Sequence, residues 1–165
     1  MKKKLSIFIA LLVSVLASSQ DLKDIREQYP KAVENAEITT KLDGELARID
    51  SSSKPVLLVY KGAVSTLKAK FAKARSDKKE FFKEGVFLIE SAVKDEPSNI
   101  EIRYIRMSVQ ENSPRFLGYH NNIEEDKEFI LKNYANVSSK ELKDTIKDFV
   151  LKSENFDESE KKLFQ

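Results

Sequence analysis

An all-α fold of antiparallel helix pairs is predicted by three features of this sequence. From residue 21 onward the apolar residues recur at three- and four-residue steps and do not alternate for long, as a strand would require. Glycine and proline are sparse, four of each in 165 residues, while 34% of the chain is charged, which suits helices better than a β-sandwich. Polar residues with capping character stand at the breaks between the apolar stripes.

The first element stands apart from that domain. Lys2, Lys3 and Lys4 precede an apolar run from Leu5 to Leu16, and small residues Ala17, Ser18 and Ser19 follow. This is the layout of a secretory signal peptide over residues 1–19. A membrane-spanning helix needs roughly 20 apolar residues, more than this run supplies. Cleavage after Ala17 or after Ser19 fits equally well. Replacing both by bulky residues is expected to leave an uncleaved precursor in the inner membrane, because the peptidase accepts only small side chains there. Normal maturation on an immunoblot would place the cut elsewhere.

Export alters the charge balance. Without the three signal lysines, 26 basic residues face 27 acidic ones, a net charge of about −1 in place of +2. Lys and Glu are interspersed, so nucleic acid is not an expected partner. The chain has no cysteine, hence no disulfide framework, no thiolate nucleophile and no site for lipid acylation. The expected product is periplasmic or secreted, with no stable membrane anchor. Residues 20–165 are long enough for one domain that buries most of its apolar surface.

Within that domain, Ile38, Leu42, Leu46 and Ile49 form the stripe of a helix from about Ala36 to Asp50, ended by Ser51 to Ser53. Pro55 suits the first turn of the next helix, where its missing N–H costs nothing. Val56, Tyr60, Ala63, Leu67, Phe71 and Ala74 carry that helix to about Ala74. A third opens at Ser76 or Asp77, and its apolar face (Phe81, Phe82, Val86, Leu88, Ile89, Ala92, Val93) is wide enough to need neighbours on two sides. Gly85 is expected where two helices approach closely. After Pro97 a fourth runs from about Ser98 to Asn112, where Ser113-Pro114 breaks it. Asn122 to Glu125 and Ser138 to Glu141 read as capping boxes that start helices reaching about Tyr134 and Lys152. Asp157 to Phe164 forms a short terminal helix, expected to fray.

The spacing Gly85-x3-Ile89-x2-Ala92-x4-Pro97 resembles the second half of a tetratricopeptide (TPR) repeat, and Tyr104-x2-Met107-Ser108 continues the pattern. Two helix pairs, about Lys54 to Glu96 and Ser98 to Tyr134, carry this likeness. It implies a short TPR-like array, with a right-handed helical bundle as the other arrangement. The chain also resembles a group of small exported proteins of Gram-negative bacteria. The shared elements are Tyr60 to Ala63, Gly85 with Leu88 to Val93, Pro97 to Arg103, Gln110 to Tyr119, and Asp126-Lys127. That resemblance covers about Val56 to Ile130 and implies export and a TPR-like fold, without an activity.

On the fourth helix, Asn99, Arg103, Arg106, Gln110 and Ser113 form one polar stripe at 3.6 residues per turn, and apolar residues cover the other sides. Such a helix belongs at the centre of its layer. Two readings of the stripe follow. In the first, Asn99, Arg103, Arg106 and Gln110, with Tyr119 from the insert Ser113 to Asn121, face a groove and bind a partner's carboxylate. In the second, the arginines pair with Glu90, Glu101 or Asp126 and set helix register, and Arg103, nearer the Pro97 connection, contributes more than Arg106. The insert itself, with Phe116, Leu117 and Tyr119, is expected to plug the groove.

His120 has no second histidine or His-x2-Glu pattern beside it, so no metal site is expected. No Gly-rich phosphate loop, Gly-x-Ser-x-Gly or calcium-spaced acidic cluster occurs, and no cofactor is implied. Asn136-Val137-Ser138 matches a glycosylation acceptor but reads better as a helix cap at Ser138. The leading expectation is a non-catalytic interaction module for a protein or peptide partner in the cell envelope. The alternative is a small hydrolase or ligand-binding protein in which Arg103, Arg106, His120 and Asp126 converge in one pocket.

Overall fold

The computed structural model describes residues 22–165, so the predicted signal segment lies outside the described residues. Those residues are all-α, with helices packed on helices and no strand among them. The stripes announce no helix before Ala36, yet residues 22–32 are helical (α1). Ile25, Tyr29 and Ala32 give it a short buried stripe. Pro30 falls in its last turn, where the missing N–H removes a single intrahelical bond.

α2 (Ala36–Glu45) is capped by Asn35, whose side chain accepts from the Glu37 and Ile38 amides. It stops short of the expected Asp50. Lys61 donates to the carbonyls of Ala47 and Ile49, and Asp50 accepts from the Ser52 amide at 2.9 Å, so local side chains supply the bonds of the segment after Glu45. α3 (Pro55–Phe71) starts on Pro55 as expected and ends three residues before Ala74. α4 (Arg75–Asp95) returns beside it after a short turn.

The α3/α4 contact is set by two glycines. A Cβ placed on Gly62 would lie 2.7 Å from the Gly85 carbonyl oxygen, and one on Gly85 would lie 2.6 Å from the Gly62 carbonyl oxygen. Each absent side chain thus lets the other helix's backbone in, as expected for Gly85. α2 lies against α3, and α5 (Ile100–Asn112) packs on α3, α4, α6 (Ile123–Asn133) and α7 (Lys140–Lys152). Every residue from Glu101 to Gln110 is buried, which makes α5 the central helix. α1 is clamped to it: Arg26 donates to both Glu101 carboxylate oxygens at 2.7 and 2.6 Å, and the Tyr60 hydroxyl donates to the same carboxylate at 2.8 Å.

Two expected capping boxes differ in detail. Asn122 precedes α6 but makes no side-chain cap, because its amide donates to Glu125 and its oxygen accepts from Gln110. α7 is capped by Ser139, one residue after the expected Ser138, through a bond from the Leu142 amide. A complete capping box occurs instead at α8 (Glu158–Lys161), where Asp157 and Glu160 exchange bonds with each other's backbone.

The chain end is docked, not frayed. Phe164 is 3% exposed and packs on Tyr134 and Phe156, with ring centroids 4.3 and 6.1 Å away. Phe156 in turn meets Phe149, and Phe149 meets Tyr104 of α5. Phe164→Ala is expected to cost about 2 kcal/mol, less than the ~3–5 of an interior site because a terminus can relax. Thermal unfolding of the variant checks this, and an unchanged midpoint would show that the end does not hold the domain together.

Candidate functional site

The polar stripe of α5 faces α6, and its arginines are committed within the fold. Arg106 grips Asp126 with two parallel bonds, Nε to Oδ2 and Nη2 to Oδ1, both 2.7 Å. Its Nη1 also donates to Glu90 of α4 at 3.2 Å. Arg103 donates to Glu125, and its Nε lies 2.7 Å from Asp126 Oδ1 without the alignment of a hydrogen bond. Its guanidinium also sits over the Phe129 ring, 5.1 Å from the centroid. Asp126 is fully buried, and Arg103 and Arg106 are nearly so. The two-pronged grip belongs to Arg106, whereas the sequence reading assigned the larger stability contribution to Arg103.

Electrostatics follow the burial. Burial pushes the Asp126 carboxyl above its ordinary pKa, against the hydrogen bonds and charge of Arg106 and the charge of Arg103. Burial also works against the Arg106 cation, yet Asp126, Glu90 and Glu125 together hold its pKa above the usual value. The more exposed Glu125 is held below its ordinary range by bonds from Asn122 and Arg103. The seam thus gathers two arginines and three carboxyl groups between α4, α5 and α6.

The other stripe residues have structural positions too. Asn99 is the N-cap of α5, its oxygen accepting from the Glu101 and Ile102 amides. Gln110 is fully buried, bonded to Asn122 at 3.4 Å through its amide, and its Oε1 has no hydrogen-bond partner among the described residues. Of the alternative constellation, Arg103, Arg106 and Asp126 converge. His120 instead places Nε2 2.9 Å from the Ser113 carbonyl, which can only accept, so Nε2 carries the proton. Among the described residues, no group of three His, Cys, Asp or Glu side chains is placed to hold a metal ion.

Like Ser113 at the end of the stripe, Tyr119 reaches a cavity. Its hydroxyl donates to Glu90 at 2.6 Å, on the carboxylate that also receives Arg106, and its ring meets Phe82 edge-on at 6.2 Å. Burial first, then Glu90, raises its pKa. Through Glu90 the insert is tied to the arginine seam.

The cavity is a groove of about 990 Å³ between α1, α3, α4 and the C-terminal part of α5. Val33, Leu67, Val86 and Val109 supply apolar surface, and Phe82, Tyr119 and Phe116 supply aromatic surface. The insert forms a wall of this groove and leaves it open. Residues Arg115–Leu117 make one 3-10 turn that Gly118 reverses at φ 69°, a left-handed value that favours glycine. Phe116 is left 86% exposed and Leu117 39% exposed, so the insert is not the expected plug. Five cations, Lys70, Arg75, Lys78, Lys79 and Lys83, also line the groove, and among the described residues no acidic one does. The sequence reading missed this rim, although Arg75, Lys78, Lys79 and Lys83 already share one helical face with Phe82 and Val86.

Among the described residues, no helix is long and apolar enough to cross a membrane. Comparison with protein-family models, curated proteins and solved structures finds no match to this chain.

Proposed function

We propose that this protein is an exported helical interaction module, a short TPR-like array that holds a segment of a partner protein of the cell envelope and catalyses nothing. The observation that carries this reading is the open groove of about 990 Å³ with Phe116 standing 86% exposed on its wall. Apolar surface of that kind gains most when a partner covers it. The volume is at the upper end of small-molecule clefts, which favours a chain segment over a compact metabolite. The ionisable cluster at Arg103, Arg106 and Asp126 is spent on internal pairs, so a polar site for chemistry has no free groups there.

The test is site-specific photocrosslinking in cells that make the protein. A photoreactive phenylalanine analogue at Phe116 should yield a discrete protein adduct. The same analogue at Phe87, an exposed residue of α4 outside the groove, should yield none. Equal adducts from both positions, or none from Phe116, would overturn the groove as the binding face.

A further inference from the structure

We infer that the segment held in this groove is acidic as well as apolar, recognised by Arg75, Lys78, Lys79 and Lys83. The inference rests on the groove reading and adds the chemistry of the partner. These four side chains are exposed and have no ion-pair partner among the described residues. Lys70 across the groove already pairs with Glu34 at 2.7 Å. Elsewhere the chain intersperses its charges, whereas here the lining contains cations and no anion.

Spacing decides which anion fits. From Arg75 to Lys83 the helix rises about 12 Å at 1.5 Å per residue. A fatty acid or other single-headed amphiphile brings one carboxylate and would leave most of the row unpaired. An extended polypeptide covers the same length with about four residues. Its side chains alternate in direction, so acidic residues can follow the cationic row while apolar ones enter the groove. Of the four aromatic rings in the lining, Tyr29 is buried against Tyr60, and Phe82 and Tyr119 pack edge-on against each other, which leaves Phe116 as the exposed ring. One exposed ring beside Val, Leu and Ala suits the side chains of a peptide better than a run of stacked bases.

Fluorescence anisotropy tests this with three labelled peptides of one length. They share the same Leu and Phe positions and carry Glu, Gln or Lys between them. The purified protein is compared with the Lys78→Glu/Lys79→Glu/Lys83→Glu variant and with Phe116→Asp, all at exposed positions. The Glu peptide should bind the parent protein about tenfold more tightly than the Gln peptide, with an advantage that shrinks as salt is added. The triple variant should abolish that preference and favour the Lys peptide, while Phe116→Asp should weaken every peptide. Equal binding of the Glu and Gln peptides, both weakened by Phe116→Asp, overturns the acidic partner and leaves the groove standing. Binding that Phe116→Asp does not change, or no binding by any peptide, removes the groove itself. Displacement of the Glu peptide by a single-stranded oligothymidylate at equal concentration would assign the row to nucleic acid and overturn the proposal.

Discussion

Arg106→Ala is expected to lower the stability of the fold by about 3–5 kcal/mol, the usual cost of stripping a buried charge of its partner. Asp126 is fully buried, and Arg106 is the residue that meets both of its oxygens along good hydrogen-bond directions. Without it the carboxylate keeps only the misaligned Arg103, while Glu90 loses a donor from α5. Arg103→Ala should cost less, about 1–2 kcal/mol, because its aligned partner Glu125 is half exposed and its stacking on Phe129 is a modest term. Replacing Arg106 by Met together with Asp126 by Leu should recover most of the loss, since apolar groups of similar volume often substitute for a buried pair without penalty. Urea denaturation of the three variants and the parent measures the series. A larger loss for Arg103→Ala than for Arg106→Ala would mean that Asp126 depends on Arg103.

Gly85→Leu should cost about 3 kcal/mol, at the upper end of ordinary overpacking. In a domain of this size that is a fall of roughly 6–12 °C in Tm. The first added carbon already lies 2.6 Å from the Gly62 carbonyl oxygen and from Thr66 Cγ2, and 3.0 Å from the Thr66 amide nitrogen. Two of these three atoms are backbone, so no rotamer change relieves the contact and α3 and α4 must separate. Alanine at the same site should also destabilise, because the clash outweighs the ~1 kcal/mol that Gly to Ala gains inside a helix. Gly44 is the control: nothing stands within 4 Å of its added Cβ, so Gly44→Ala should stabilise by about 0.5–1 kcal/mol. If Gly85→Ala and Gly44→Ala moved Tm in the same direction, the close α3/α4 approach would be wrong.

Much of this protein is determined by local sequence. Apolar stripes and cap signals together are enough for α3 to α7 to be placed within a few residues, because burying one face of a helix demands its period and ending a helix demands partners for its free backbone groups, whatever the neighbours are. Pro55 marks a helix start and Ser113-Pro114 a helix stop through backbone geometry alone. The all-apolar sides of residues 100–109 imply a central helix, since no exposed helix tolerates them. Gly85 was legible as the small-residue position of the repeat-like spacing Gly85-x3-Ile89-x2-Ala92, where a close helix approach is expected.

Tertiary structure decided the rest. α1 carries only three deeply buried apolar residues and a proline, and it is held by Arg26 reaching Glu101 across 75 residues of sequence. A cap bond was lost where a side chain found other partners in space, as Asn122 did with Gln110 and Glu125. The arginine stripe shows the limit most sharply. Periodicity sets which residues share a face, but only the placement of α6 makes that face an interior seam, with Asp126 supplying the charge that allows two guanidiniums to be buried. The groove was hidden for the same reason. Its lining comes from four helices and the insert, each contributing a few residues, and a cavity between elements has no signature in any one of them.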